Sequence, residues 1–275
     1  MSGSNWCRIA WQGTAIEVEY QWVGPRTTDR PLMVFLHEGL GSVSLWKGFP
    51  AALCDALSCT GLVYSRPGYG QSTPRDPDDP WLPDFLERQA CEVLPALLSE
   101  LGVGQNHPPY WLFGHSDGGS IALIHAARFP GRLGGLVVVA PHVMVEDVSV
   151  RSIEAARNAY LMGDLRAGLA RHHRDPDSAF WGWNGVWLSA AFRDWSIEHL
   201  LPDVVCPVLA IQGTEDPYGT LQQIQRIRDL APNAELRILA QCGHSPHREQ
   251  PRELSEWVEV FFADRLSNAQ RPRHP

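Results

Sequence analysis

Near the start of the chain, apolar and polar positions alternate with a period of two. Trp6 to Trp11 reads as one strand and Ala15 to Val23 as a second, in which Ile16, Val18 and Tyr20 are separated by polar residues. Gly13-Thr14 between them predicts a hairpin. From Pro31 onward the pattern becomes short continuous apolar runs bounded by Gly or polar turns. These are Leu32–Leu36, Gly61–Ser65, Tyr110–Gly114, Leu133–Ala140, Val208–Gln212 and Leu236–Leu239. Unbroken Val/Leu/Ile runs suit strands covered on both faces, and the longer stretches between them read as helices. The expectation is an α/β protein with a mostly parallel central sheet flanked by helices.

Residues 143–203 interrupt this rhythm. They hold no comparable strand run and read as helices over Val150–Leu161, Asp164–His172, Val186–Phe192 and Ile197–Leu201. An inserted helical segment is therefore expected there, leaving 1–142 and 204–266 as the core domain. The polar, Pro-containing stretch 267–275 is expected to be a flexible tail.

Composition narrows the function classes. The chain has 275 residues, 44% of them hydrophobic, which is ample for a sizeable core and excludes disordered and collagenous readings. A formal net charge of −8 without any Lys/Arg-rich run argues against a nucleic-acid partner. Six cysteines without a CxxC pair read as free thiols rather than a disulfide frame. The opening Met1-Ser2-Gly3-Ser4-Asn5-Trp6 has no signal-peptide pattern, and no apolar run approaches the roughly 18 residues of a membrane span. A cytoplasmic protein acting on a small molecule, without membrane attachment, is expected. One number stands out: there are 11 Trp, four of them (Trp181, Trp183, Trp187, Trp195) within fifteen positions.

The strongest chemical signal is Gly114-His115-Ser116-Asp117-Gly118-Gly119. It follows the apolar run Tyr110–Phe113 and precedes a helical stretch, which is the strand–turn–helix setting that a G-x-S-x-G nucleophile requires. Ser116 has to sit on a sharp turn, and side chains at 114 and 118 would collide with neighbouring backbone. A serine nucleophile needs a base and an acid that orients it. Val208–Gln212 leads into a loop with Glu215 and Asp216, and Leu236–Leu239 into Cys242-Gly243-His244-Ser245-Pro246-His247, so the chain order Ser, acid, His is met.

Further segments extend the pattern: Phe35-Leu36-His37-Glu38-Gly39-Leu40-Gly41-Ser42 and Tyr64-Ser65-Arg66-Pro67-Gly68-Tyr69-Gly70-Gln71-Ser72. Together with the nucleophile, acid and histidine loops, these resemble the α/β-hydrolase superfamily from about Pro31 to Leu266. The resemblance implies an α/β-hydrolase fold with a helical cap, Ser116 as nucleophile, His244 as base and Asp216 as acid. The backbone N–H groups of Gly39 and Asp117 would form the oxyanion hole. No cofactor and no metal are implied.

Two residues depart from the family pattern: Glu38 stands where Gly is usual, and Asp117 follows the nucleophile. A local structural partner for Glu38, Arg66 in particular, is the preferred expectation; a role in positioning water or substrate is the alternative. Glu215 and Asp147 are alternative acids. His37 and His115 read as packing residues, and His247 as a surface or rim residue at the start of the last helix. The His172-His173 and His244/His247 pairs lack the further ligands of a metal site. Trp46, Trp181, Trp183, Asn184, Trp187 and Tyr218 are the candidate substrate-binding residues alongside Glu38, with Thr220 nearby, because pockets are mostly apolar with a few polar anchors. The leading functional expectation is a serine hydrolase acting on a small apolar or aromatic acyl ester or thioester through an acyl-enzyme. The alternatives are a C–C bond hydrolase of meta-cleavage-type diketones and a non-catalytic ligand sensor on the same fold.

Overall fold

The computed structural model describes residues 4–27, 30–103 and 107–269. Eight strands form one sheet: β1 (Asn5–Trp11), β2 (Thr14–Val23), β3 (Leu32–Leu36), β4 (Thr60–Tyr64), β5 (Tyr110–His115), β6 (Leu133–Val139), β7 (Val208–Gly213) and β8 (Ala234–Leu239). Their order is β1-β2-β4-β3-β5-β6-β7-β8. β1 and β2 form the expected antiparallel hairpin, closed by Gln12 and Gly13 at positive φ, as a tight two-residue turn requires. β2 pairs antiparallel with β4, and every pairing from β4 across to β8 is parallel.

Helices α1 (Phe49–Ala56), α2 (Phe85–Arg88), α3 (Leu94–Glu100) and α4 (Asp117–Arg128) lie in the first half. Between β6 and β7 come α5 (Asp147–Met162), α6 (Leu165–Leu169) and α7 (Pro176–Trp187), with short 3-10 turns after them. α8 (Gln222–Leu230), α9 (Pro246–Glu249) and α10 (Pro251–Ala269) complete the chain. The aromatic stretch after residue 176 is thus one helix, begun by Asp175 accepting a hydrogen bond from the Ser178 N–H. The predicted helix Val186–Phe192 does not exist as such: α7 ends at Trp187 and a 3-10 turn follows. Residues 267–269, expected in the tail, continue α10; 270–275 lie outside the described residues.

Alternate residues of the central strands feed two apolar layers. Val34, Leu36, Leu112, Leu136 and Val138 join the layer that includes residues of α3, α4, α5 and α7. Met33, Phe35, Trp111, Phe113, Val137 and Val139 join the layer beneath α1 and α10. Burial on both faces explains why these strands read as unbroken apolar runs. The chain runs from β3 to β4 on one side, then returns to place β5 on the other side of β3. That reversal makes the ends of β3 and β5 diverge, opening the crevice where sheets of this kind carry their sites.

Candidate active site

Ser116 closes β5 and begins α4. Its backbone is at φ 54°, ψ −121°, a region that L-residues rarely occupy and that has to be held by the surroundings. The surroundings do hold it. The Ser116 N–H donates to the Val139 carbonyl, while the Ser116 carbonyl accepts from the Gly119 and Ser120 N–H groups. A Cβ on Gly114 would run into the Gly118 backbone, and one on Gly118 into the Leu36 carbonyl. The turn is feasible only without those side chains, as the spacing implied.

The histidine loop after β8 and the acid loop after β7 converge on Ser116. His244 Nε2 lies 3.0 Å from Ser116 Oγ, and His244 Nδ1 lies 2.8 and 2.9 Å from the two oxygens of Asp216. Asp216 is further fixed by the Tyr218 N–H and by the Gln212 amide, both donating at 2.8 Å. Burial would raise the Asp216 carboxyl, but the His244 hydrogen bond and the other donors outweigh it and hold the pKa below the ordinary value. Glu215 is exposed, and Asp147 is paired with Arg193 at the start of α5, so neither alternative acid reaches His244.

The loop after β3 is anchored by its carbonyl. The Glu38 C=O accepts from Gly41 N–H at 3.0 Å, His37 Nδ1 at 2.7 Å and Arg66 Nη2 at 2.8 Å. A trans peptide points its N–H opposite to its C=O, so this anchoring fixes the direction of the Gly39 N–H. Among the described residues neither the Gly39 nor the Asp117 N–H has a backbone acceptor, which leaves both free for a developing oxyanion. His37 Nε2 in turn accepts from the Arg66 N–H at 3.0 Å, and burial together with Arg66 keeps the ring neutral, well below its ordinary pKa.

The expected Glu38–Arg66 pairing needs correction. Arg66 binds the backbone carbonyl of Glu38, and its guanidinium faces the Asp117 carboxylate at 3.6 Å. The Glu38 carboxylate lies instead against His115 Nδ1 at 3.6 Å and Arg248 Nη2 at 3.4 Å. Burial raises the Asp117 carboxyl above its ordinary pKa, opposed by Arg66 and the Trp187 indole. No local signal identified the partner of Arg66, because Asp117 lies 51 positions away along the chain.

The substrate-binding candidates separate into two groups. Trp183 lies directly over Gly39, where its indole occupies the space a Cβ would need. The Tyr218 ring is 4.7 Å from the His244 ring, and Trp187 packs 5.1 Å from His142, itself 6.0 Å from His244. Trp46, Trp181 and Asn184 are elsewhere. Trp46 packs against Phe35, Phe49 and Phe113 in the layer under α1 and α10. Trp181 faces Tyr160, Phe180 and Arg157 inside the helical insertion. Asn184 donates to the Ile153 carbonyl, tying α7 to α5. Thr220 bonds Glu146.

His247 is buried against Trp46, Phe49 and His115, not at a rim; burial lowers its pKa to about 2. His142, unremarked in the sequence, is buried beside His244 with its pKa lowered to about 3. Its signal was its place, two residues beyond the apolar run of β6. All six cysteines are free. Ser116 is only 6% exposed, and two cavities of about 630 and 590 Å³ lie away from it, along Trp11–Trp81–Phe85 and along Phe49–Arg252.

A model of the alpha/beta hydrolase family matches residues 33–257. The chain belongs to that family. It is a hydrolase. It is 27% identical over 215 residues to human "Serine hydrolase BPHL", a match covering 74% of this chain and 69% of that protein. It is 27% identical over 265 residues to a 2-succinyl-6-hydroxy-2,4-cyclohexadiene-1-carboxylate synthase from Enterobacter sp. (strain 638), covering 86% and 94%. The solved proline iminopeptidase of Mycobacterium smegmatis superposes with a TM-score of 0.73 at 23% identity, over 97% of this chain and 100% of that one; it shares the fold. No helix among the described residues is long and apolar enough to cross a membrane.

Proposed function

We propose that this hydrolase is a serine hydrolase that cleaves a small apolar or aromatic ester or thioester through an acyl-enzyme. The observation that carries the reading is the unbroken hydrogen-bond chain from Asp216 through His244 to Ser116 Oγ. In this mechanism Asp216 holds the tautomer with hydrogen on Nδ1, leaving Nε2 to take the Ser116 proton as Oγ attacks the carbonyl. The Gly39 and Asp117 N–H groups receive the oxyanion, such donors being worth about 3 kcal/mol each. His244 then returns the proton to the leaving group and activates water for deacylation.

Residues 143–203 act as a cap over the reaction. Trp183 and Trp187 of α7, with Tyr218, form the apolar walls, which suit a compact acyl group better than a polymer. The human relative is itself a serine hydrolase by name, which agrees with this chemistry.

The test is a panel of p-nitrophenyl esters, acyl thioesters and a meta-cleavage-type diketone, with fluorophosphonate labelling, on the wild type and Ser116→Ala. Ester or thioester turnover lost in Ser116→Ala, with label on Ser116 and unchanged thermal stability, is the expected result. Full activity in Ser116→Ala overturns the nucleophile. Turnover of the diketone alone replaces the ester reading with C–C hydrolysis. Ligand binding without turnover, unaffected by the mutation, replaces it with a sensor.

A further inference from the structure

Two parts of the helical insertion grip the loop that carries Gly39. Trp183 of α7 covers Gly39 itself. The turn between α6 and α7 holds the next residue. His173 Nε2 lies 3.0 Å from the Leu40 carbonyl oxygen, and His173 Nδ1 accepts from the Gly70 N–H at 2.9 Å. The neighbours of His173 add two more bonds. The Arg174 N–H donates to the Gly70 carbonyl at 2.7 Å, and His172 Nδ1 meets Ser44 Oγ at 2.9 Å. His173 is buried.

The two backbone partners fix where hydrogen sits on the ring. A backbone N–H only donates, so Nδ1 of His173 presents its lone pair to Gly70. A carbonyl oxygen only accepts, so Nε2 carries the hydrogen to Leu40. A neutral ring therefore satisfies both contacts at full hydrogen-bond distance. Burial keeps it neutral, lowering the pKa to about 4; His172 acts in the same sense, and the Leu40 carbonyl, Glu38 and Glu19 against it. The Gly70 side is prepared by its backbone. Gly70 is at φ 56°, and a Cβ there would run into Ser65 Oγ and Glu19 Oε2, so only glycine can present its N–H in this way.

We propose that His173 is a positioning residue that latches the insertion onto the oxyanion loop, so that Gly39 is set for catalysis only while the insertion is docked. The carbonyls on either side of Gly39 are held from different places. Glu38 C=O is held by His37, Gly41 and Arg66 of the core, and Leu40 C=O by His173 of the insertion. Ser116 is only 6% exposed, so a substrate reaches it after a covering segment has moved. Lifting the 172–174 turn removes the donor at Leu40 and both bonds at Gly70 in one step. Redocking over a bound substrate restores them, which ties hydrolysis to closure and leaves the open form without a preorganised oxyanion site. His173 acts on Leu40 and Gly70, not on substrate.

The latch rests on the serine-hydrolase reading for its effect on turnover, but its bonds can be read without turnover. Full-length wild type, His173→Gln and His173→Ala are compared. In nitrogen–nitrogen correlation spectra of isotope-labelled wild type, the Gly70 amide nitrogen should couple to His173 Nδ1 across the hydrogen bond, with hydrogen on Nε2. Amides of the loop around Gly39 should exchange with solvent on the order of tenfold faster in His173→Ala. Glutamine can accept from Gly70 through its oxygen and donate to Leu40 through its nitrogen, so His173→Gln should stay near wild type. With p-nitrophenyl acetate, kcat of His173→Ala should fall on the order of tenfold at little-changed KM, because the lost interaction belongs to the transition state. His173→Gln should recover most of that loss.

Hydrogen on Nδ1 of His173, or no coupling to Gly70, overturns the latch. Lower thermal stability in His173→Ala with loop exchange and kcat unchanged overturns it too, leaving a merely structural tie. So does a His173→Gln protein as slow as His173→Ala. If His173→Ala does not fold, the wild-type spectra and His173→Gln carry the test. If Ser116 takes no fluorophosphonate label and no ester is turned over, the hydrolase chemistry proposed above fails, while the spectra and the exchange rates still decide whether His173 holds the loop.

Discussion

Two buried aspartates flank Ser116 and its partner His244, and the protein treats them in opposite ways. In the region between β7 and the histidine loop, Asp216 accepts from His244, from the Tyr218 N–H and from Gln212, all within 2.9 Å. In the region beneath the Gly39 loop, Asp117 has the Arg66 guanidinium at 3.6 Å and the Trp187 indole acting on it, and its Oδ2 accepts no well-formed hydrogen bond. Burial pushes both carboxyl groups up. It is outweighed at Asp216 and prevails at Asp117. Burial alone therefore does not decide ionisation; short, aligned donors do. The region proposed for proton transfer holds its anion with short donors, and the neighbouring one has only a longer charge contact with Arg66.

Substitutions can break or sharpen that contrast. The largest effect is expected from Asp216→Asn, which leaves the shape intact but no longer orients His244. Ester kcat should fall by about 10³ to 10⁴, with circular dichroism and thermal stability little altered. Asp117→Asn should instead be mild. It exchanges a carboxylate whose ionisation burial disfavours for a neutral amide beside Arg66, so urea unfolding near neutral pH should show a change within about 1 kcal/mol, while kcat drops less than tenfold because the proposed oxyanion contact uses only the backbone N–H.

The two variants should also differ in the sign of their pH dependence. Asp216 has its folded pKa below the unfolded value. Its contribution is present above the unfolded value and is lost as pH falls through the folded one. Asp117 has its folded pKa above the unfolded value, so its ionisation weakens the fold as pH rises through the interval between them. Plotting the stability difference between wild type and each Asn variant against pH should give opposite slopes. Like slopes would show that the two sites are not electrostatically distinct. The smallest effect should come from Gln212→Leu, which removes one of the Asp216 donors; a several-fold loss in kcat, roughly 1 kcal/mol, is expected, and no loss at all would show Tyr218 and His244 to be sufficient.

Much of this was legible along the chain. The apolar runs predicted all eight strands, because strands covered on both faces need uninterrupted apolar sequence and the turns between them need Gly or polar residues. The elbow at Ser116, with glycines at 114 and 118, was legible because the motif is contiguous, although only one of its constraints is local: a Cβ on Gly114 meets the Gly118 backbone, whereas one on Gly118 meets the Leu36 carbonyl of β3. The aromatic cluster was legible only in part. A helix through 176–187 turns successive side chains by 100°, so Trp183 reaches Gly39 while Trp181, two residues earlier, faces the interior of the insertion. The pairing of Glu38 was not legible. Its partners, His115 and Arg248, come from β5 and α9 and stand 77 and 210 positions away along the chain.

The sequence by itself determined the strands of a mostly parallel sheet, the strained turn at Ser116 and the chain order of Ser116, Asp216 and His244, since these follow from short-range patterning of apolar residues and glycines. Tertiary structure alone decided which buried group answers which. It gave Arg66 to Asp117, set Arg248 and His115 on Glu38, carried His247 into the core and sent Trp46 to the opposite face of the sheet. The physical reason is one of range. Hydrophobic periodicity and backbone sterics act between residues a few positions apart, whereas a buried charge is settled by whichever partner the packed strands and helices bring within about 4 Å.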